Sequence, residues 1–167
     1  MKRRDMLKAT SAAVLGAATF PWRWASAAEG KRQRVLYFTR NVGFYHSVVV
    51  RKGDELSHSE RILVELGQRA GIEVTCTKDG RVFDEDLGKY DAFAFYTCGD
   101  LTKPDKYNIP PMTADGKKRF LDAVAAGKGY VGFHSATDTF HSAGPRDGVQ
   151  TELDPYIAMV GGEFVVH

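Results

Sequence analysis

The chain has 167 residues, of which 23 are basic and 21 acidic, giving a formal charge of +2. Residues 1–27 hold five of the basic residues (Lys2, Arg3, Arg4, Lys8, Arg23) and one acid (Asp5). Residues 28–167 therefore carry 18 and 20, a formal −2. That balance excludes the basic face a nucleic-acid-binding domain needs, and 140 residues suffice for one domain with its own core.

Residues 1–27 read as an address. Lys2-Arg3-Arg4-Asp5-Met6-Leu7-Lys8 carries a twin arginine, and Ala9 to Phe20 is a weakly apolar run of twelve residues, too short for a membrane span. Ala25-Ser26-Ala27 has the small-x-small form of a cleavage site. Together these predict a twin-arginine signal peptide and a periplasmic or secreted domain over 28–167.

The remainder alternates strands and helices. Arg34–Thr39 is a first strand, followed by a loop with Arg40, Asn41, Phe44, Tyr45 and His46. Glu55–Ala70 is helical, with Ile62, Leu63, Leu66 and Ala70 on an inward face and Glu60, Arg61, Glu65 and Arg69 outside. Ile72–Thr77 is a second strand near a sheet edge, Phe83–Leu87 one helical turn, and Asp91–Thr97 a third strand. Thr113 caps a helix to Ala126, with Phe120, Leu121, Val124 and Ala125 facing inward, and Gly127 ends it. Tyr130–His134 is a fourth strand, Asp154-Pro155 starts a short helix, and Glu163–His167 begins a fifth strand.

This alternation predicts an α/β fold with a doubly wound, flavodoxin-like, mostly parallel sheet and helices on both faces. An apolar strand at the very end of the sequence reads as a C-terminally truncated domain. Cys76 and Cys98 end strands on either side of the first. Strands separated by a third lie about 9–10 Å apart, beyond the roughly 7 Å of a disulfide, so two thiols are expected.

The most informative stretch is Gly129 to His141. Its apolar start gives way to His134, Ser135, Thr137, Asp138, Thr139 and His141. In open α/β sheets ligands bind beyond the carboxyl ends of the strands. His46, His134 and His167 all follow or end predicted strands, so the three imidazoles are expected on one edge. Three histidines, or two with a carboxylate, suit a divalent metal such as zinc, nickel or iron. The same groups equally serve as hydrogen-bonding polar residues of a cleft without metal. Asp138 is a base, a histidine-orienting carboxylate, a group that binds sugar hydroxyls, or the cap of a short helix at 138–141. Arg40, Asn41, Phe44, Ser135, Thr139, His141 and Asp100 are substrate-binding candidates, while His58 reads as a surface residue.

One set of motifs resembles a known family. It comprises Val35-Leu36-Tyr37-Phe38-Thr39-Arg40-Asn41-x-Gly43-Phe44-x-His46-Ser47, then Tyr90-Asp91, then Gly129-x-Val131-Gly132-x-His134-x-Ala136-x-Asp138-Thr139, then Gly161-Gly162-x-Phe164-x-x-His167. This pattern resembles the ThuA-like (trehalose utilisation) family from about residue 34 onward. The resemblance implies a class I glutamine-amidotransferase-like fold, a small-molecule carbohydrate as partner, and a role in disaccharide or keto-sugar metabolism. Where the wider superfamily has G-x-C-x-G, this chain has Gly132-Phe133-His134-Ser135-Ala136. Without the thiol, ammonia extraction from glutamine is excluded. Three readings stay open: an exported sugar-transforming enzyme using His134, His46 and Asp138, a non-catalytic carbohydrate-binding module, and a metal-dependent hydrolase of another substrate.

Overall fold

The computed structural model describes residues 32–165. The predicted signal segment and His167 lie outside the described residues. Four strands form one sheet, all pairs parallel: β1 (Arg34–Phe38), β2 (Glu73–Thr77), β3 (Ala92–Phe95) and β4 (Gly129–Gly132), in the order β2-β1-β3-β4. β2 is an edge strand, as its alternation predicts. Between β2 and β3 the chain crosses back over β1, so the winding reverses between β1 and β3. Ligands of doubly wound sheets bind at that reversal.

The strand period of two divides the sheet into unlike faces. Leu36 pairs with Phe93 and Phe38 with Phe95, so one face is aromatic. Phe83 and Phe120 pack on it, with ring centroids 4.9 Å (Phe38–Phe83) and 4.7 Å (Phe95–Phe120) apart. Phe120 belongs to α2 (Ala114–Ala125), which Thr113 caps by accepting from the Gly116 amide at 2.8 Å. Of the residues expected inward on α2, Phe120 is fully buried and Leu121 and Val124 pack on the core. Ala125 is exposed and Ala123 takes its place.

The other face carries Val35, Val74 and Ala92 and meets α1 (His58–Ala70). α1 starts three residues later than predicted, because Ser57 caps it: the Glu60 amide donates to the Ser57 hydroxyl, and the Glu60 carboxylate accepts from the Ser57 amide. Its buried face is also different. Glu60 and Gly67 are buried, whereas Ile62 and Leu66 are 44% and 52% exposed. A Cβ on Gly67 would stand 2.6 Å from Val74 Cγ2. Backbone contact at the glycine therefore sets the helix rotation and turns the predicted stripe outward.

The expected turn at 83–87 resolves into two 3-10 turns, Gly80–Asp84 and Leu87–Lys89. α3 (Pro155–Val160) begins where Asp154-Pro155 predicts, with the Asp154 carboxylate accepting from the Tyr156 amide at 2.8 Å. The predicted fifth strand does not form among the described residues. Gly162 to Val165 have no strand partner, and Phe164 instead donates its amide to the Thr137 carbonyl at 2.9 Å. Among the described residues no helix is long and apolar enough to cross a membrane.

Candidate functional site

β4 stops at Gly132, and His134 opens a 3-10 turn, His134–Asp138, rather than ending the strand as expected. The turn is sharp. His134 has φ 49°, a left-handed conformation that costs an L-residue with a Cβ about 1–2 kcal/mol. Gly132 makes room for it, since a Cβ there would stand 2.8 Å from Ala136 Cβ and 3.1 Å from the Tyr130 hydroxyl. Behind the turn, the Tyr156 hydroxyl donates to the Ala136 carbonyl at 2.8 Å, and the Tyr130 and Tyr156 hydroxyls lie 2.5 Å apart. Burial holds both phenols well above their ordinary range, Tyr156 at about 12. Two neutral tyrosines thus brace a strained strand-to-helix elbow with an imidazole at its apex.

His46, in the loop after β1, meets that apex. The two rings lie edge to face with centroids 4.5 Å apart. Tyr96, just past β3, packs on both, 5.8 Å from His46 and 5.7 Å from His134. Three residues from the ends of three different strands therefore converge at the winding reversal. With Phe44, Ser135, Thr137, Asp138 and Phe164 the histidines line a cleft of about 430 Å³, within the range of small-ligand sites.

Asp138 is already engaged. Its Oδ1 accepts from Arg146 Nη1 at 2.8 Å, and its Oδ2 accepts from the Cys98 thiol at 2.9 Å. Burial, reinforced by that carboxylate, pushes the Cys98 thiol up to about 12, so it is a protonated donor and not a nucleophile. Asp138 ends the 3-10 turn and caps no helix, since 139–141 are not helical. His141 is not among the lining residues. Its Nδ1 lies 2.8 Å from Glu163 Oε1, and its Nε2 meets Arg146 Nη2 and stands 3.7 Å from Asp138 Oδ1. Burial raises Glu163, but hydrogen bonds from His141 and the Ser142 amide together hold its carboxyl below the usual range.

The remaining candidates separate. Ser135 lines the cleft, its hydroxyl donating to the Thr97 carbonyl at 2.9 Å. Phe44 is 63% exposed at the mouth, its ring 4.8 Å from that of His46. Thr139 is fully buried, its hydroxyl 2.6 Å from that of Thr97. Asp100 holds a turn, accepting from the Thr102 amide and hydroxyl, and is not among the lining residues. Arg40 and Asn41 line a second cleft beyond β1 and β2. Arg40 is fully buried, paired with Asp105 at 3.1 Å and donating to the carbonyls of Lys103, Ile109 and Pro110. His58 is exposed and both cysteines are free, as expected.

The imidazole pair offers two nitrogen donors to a cation. Among the described residues no set of three His, Cys, Asp or Glu side chains converges as a metal-ligand group. Tyr96, Arg146 and Glu163 were not legible as site residues. The signal for Tyr96 was its position at the end of β3, since every parallel strand delivers its next residues to the same edge.

A family model described as ThuA, trehalose utilisation, matches residues 34–167. No curated protein and no solved structure matches the chain.

Proposed function

Because the chain belongs to the ThuA (trehalose utilisation) family, we propose that its histidine cleft transforms a sugar or oxidised sugar derivative by acid–base chemistry. The observation that carries this reading is the edge-to-face contact of His46 and His134 at the winding reversal of the sheet. An imidazole performs either half of a proton transfer near neutral pH. One ring removes a proton beside a sugar carbonyl or hydroxyl while the other delivers one to the departing or newly formed oxygen. The exposed Phe44 ring offers a face to the sugar, and Ser135, whose proton is committed to Thr97, accepts from a hydroxyl. Asp138, held by Arg146 and Cys98, acts as a positioning residue at the end of the His134 turn. The reading includes export: residues 1–27 direct the folded domain through the twin-arginine route to the periplasm or beyond.

The test uses the full-length exported protein, screened against trehalose, other disaccharides and their 3-keto derivatives. Turnover is expected for at least one of them, with loss of about 10²–10⁴-fold in His46→Ala and in His134→Ala. Binding without turnover of any of them would assign the cleft to a carbohydrate-binding module. A second reading has one feature in its favour: Phe164 lines the cleft three residues before His167. His46, His134 and His167 would then hold zinc, nickel or iron. Activity lost on EDTA dialysis and restored by one of these ions, with weakened metal retention in His167→Ala, would select it.

A further inference from the structure

The loop after β1 divides the C-terminal edge of the sheet in two. Phe44 and His46 line the histidine cleft, whereas Tyr45 between them lines the neighbouring one, as alternate side chains of an extended stretch do. This neighbouring cleft, about 470 Å³, lies beyond β1 and β2. Its walls are apolar or aromatic, with Val50, Ile109, Tyr45 and the half-exposed Tyr107, whose ring stands edge-on to Tyr45 at 5.2 Å. Its floor is polar. Asn41 is 3% exposed, and neither its Oδ1 nor its Nδ2 has a hydrogen-bond partner among the described residues; the same holds for Arg40 Nε beside it. Apolar walls over a few convergent polar groups mark a small-molecule site, and buried polar atoms are ordinarily paired.

We propose that this cleft is a second binding site, separate from the histidines, that takes a neutral hydroxyl-bearing ring such as a sugar unit. The cations that line the cleft are already engaged. Arg40 pairs with Asp105 at 3.1 Å, while Arg51 and Lys78 share the one carboxylate of Glu60, at 2.8 Å and 4.0 Å. The Lys78 ammonium is spent besides on the carbonyls of Thr39 and Val49. An anion would have to compete with these carboxylates and carbonyls for the cations. The Asn41 amide, a donor and an acceptor side by side, matches a hydroxyl, which is both; the Tyr45 and Tyr107 rings add aromatic wall, with Lys106 Nζ 4.0 Å and 5.0 Å from their centroids. The inference does not rest on the acid–base reading of the histidines.

The test is ligand-observed NMR on the full chain with glucose, trehalose and glucuronate. It compares the wild type with Asn41→Ala, Tyr107→Ala and His134→Ala. Glucose or trehalose is expected to bind, with affinity about tenfold weaker in Asn41→Ala, the scale of one lost hydrogen bond. Tyr107→Ala should weaken it as well, and His134→Ala should retain it. Asn41→Ala should keep the melting temperature of the ligand-free protein, because it removes no internal hydrogen bond. If that variant fails to fold, the exposed Tyr107 position carries the test alone. Neutral sugars that bind nowhere, or whose binding falls only in His134→Ala, would overturn the proposal. So would glucuronate binding more tightly than glucose.

Discussion

Glu60 is the residue whose replacement tests how the histidine loop is held. It is fully buried in the first turn of α1 and accepts from Thr39 Oγ1 at 2.6 Å, Arg51 Nε at 2.8 Å, Arg51 Nη2 at 3.0 Å and the Ser57 amide at 2.8 Å. Burial pulls its carboxyl upward, but the hydrogen bonds from Arg51, Thr39 and Ser57, helped by Lys78, outweigh it and hold it at about 2 rather than 4.5. That difference in proton affinity is worth about 3 kcal/mol. The folded-state value is depressed, so this stability is fully present above about pH 4.5 and drains away as the pH falls toward 2. Glu60→Gln removes the negative charge from beside Arg51 and Lys78. Breaking a buried pair costs about 3–5 kcal/mol; Arg51 reaches solvent, so the expected loss at pH 7 is about 3 kcal/mol. Urea unfolding midpoints of both proteins, from pH 7 to pH 2.5, measure it. The gap between them should close as the pH falls. A gap below about 1 kcal/mol at pH 7, the worth of an ordinary surface pair, or one that does not change with pH, would refute the reasoning. The same variant should lose turnover, because Arg51 and Lys78 tie down the loop that presents His46.

Three further outcomes follow from the site. His134→Gly should stabilise the fold by about 1 kcal/mol by relieving the left-handed backbone, while turnover falls about 10²–10⁴-fold; a destabilised variant in urea would remove strain from the account. Gly132→Ala should destabilise by about 1–3 kcal/mol, since the new Cβ is driven into Ala136 and Tyr130, and a midpoint equal to the wild type would contradict the close approach. Burial pushes both thiols up to about 12, so a disulfide reagent at pH 8 should label Cys76 and Cys98 slowly in the folded protein and rapidly in urea. Native labelling at the rate of a free thiol would show that the Cys98–Asp138 contact does not persist.

The fold was readable because its signals are local. Four strands stood out as apolar runs between turn residues, and Thr113 and Asp154-Pro155 marked their helix starts correctly. The errors lie where tertiary contact overrides pattern. Glu60 is charged and was placed outward, yet a capping box and two cations make its burial tolerable. Ile62 and Leu66 have helical spacing with Leu63, but Gly67 lets the backbone approach Val74, and that approach rotates α1. Glu163 to Val165 are apolar enough for a strand, yet Phe164 pairs with Thr137 over the cleft. The site was half readable for a related reason. Strand ends in a parallel sheet share an edge, so His46 and His134 were placed together from topology alone. Topology does not say which side of a loop each residue faces, and one such loop sends Arg40 and Asn41 into a different cleft.

A left-handed histidine bears on the choice between an enzyme and a binding module. A sugar-binding cleft gains nothing from holding an imidazole on strained backbone, because the same ring can be presented from relaxed loop backbone, as His46 is at φ −66° and ψ 130°. The elbow is instead built up at several levels: a glycine before it, the buried Tyr156 and half-buried Tyr130 behind it, and a carboxylate after it pinned by Cys98 and Arg146. Strain of this kind persists only where surrounding structure over-determines it, and such positions cluster where chemistry demands a fixed geometry. In α/β-hydrolases the apex of such a strand-to-helix elbow is where a nucleophile projects above the sheet. Here the apex bears a proton carrier, and Cys98, the nearer of the two thiols, is occupied as a donor to Asp138. The proton transfer proposed above, between His134 and His46, makes use of both facts.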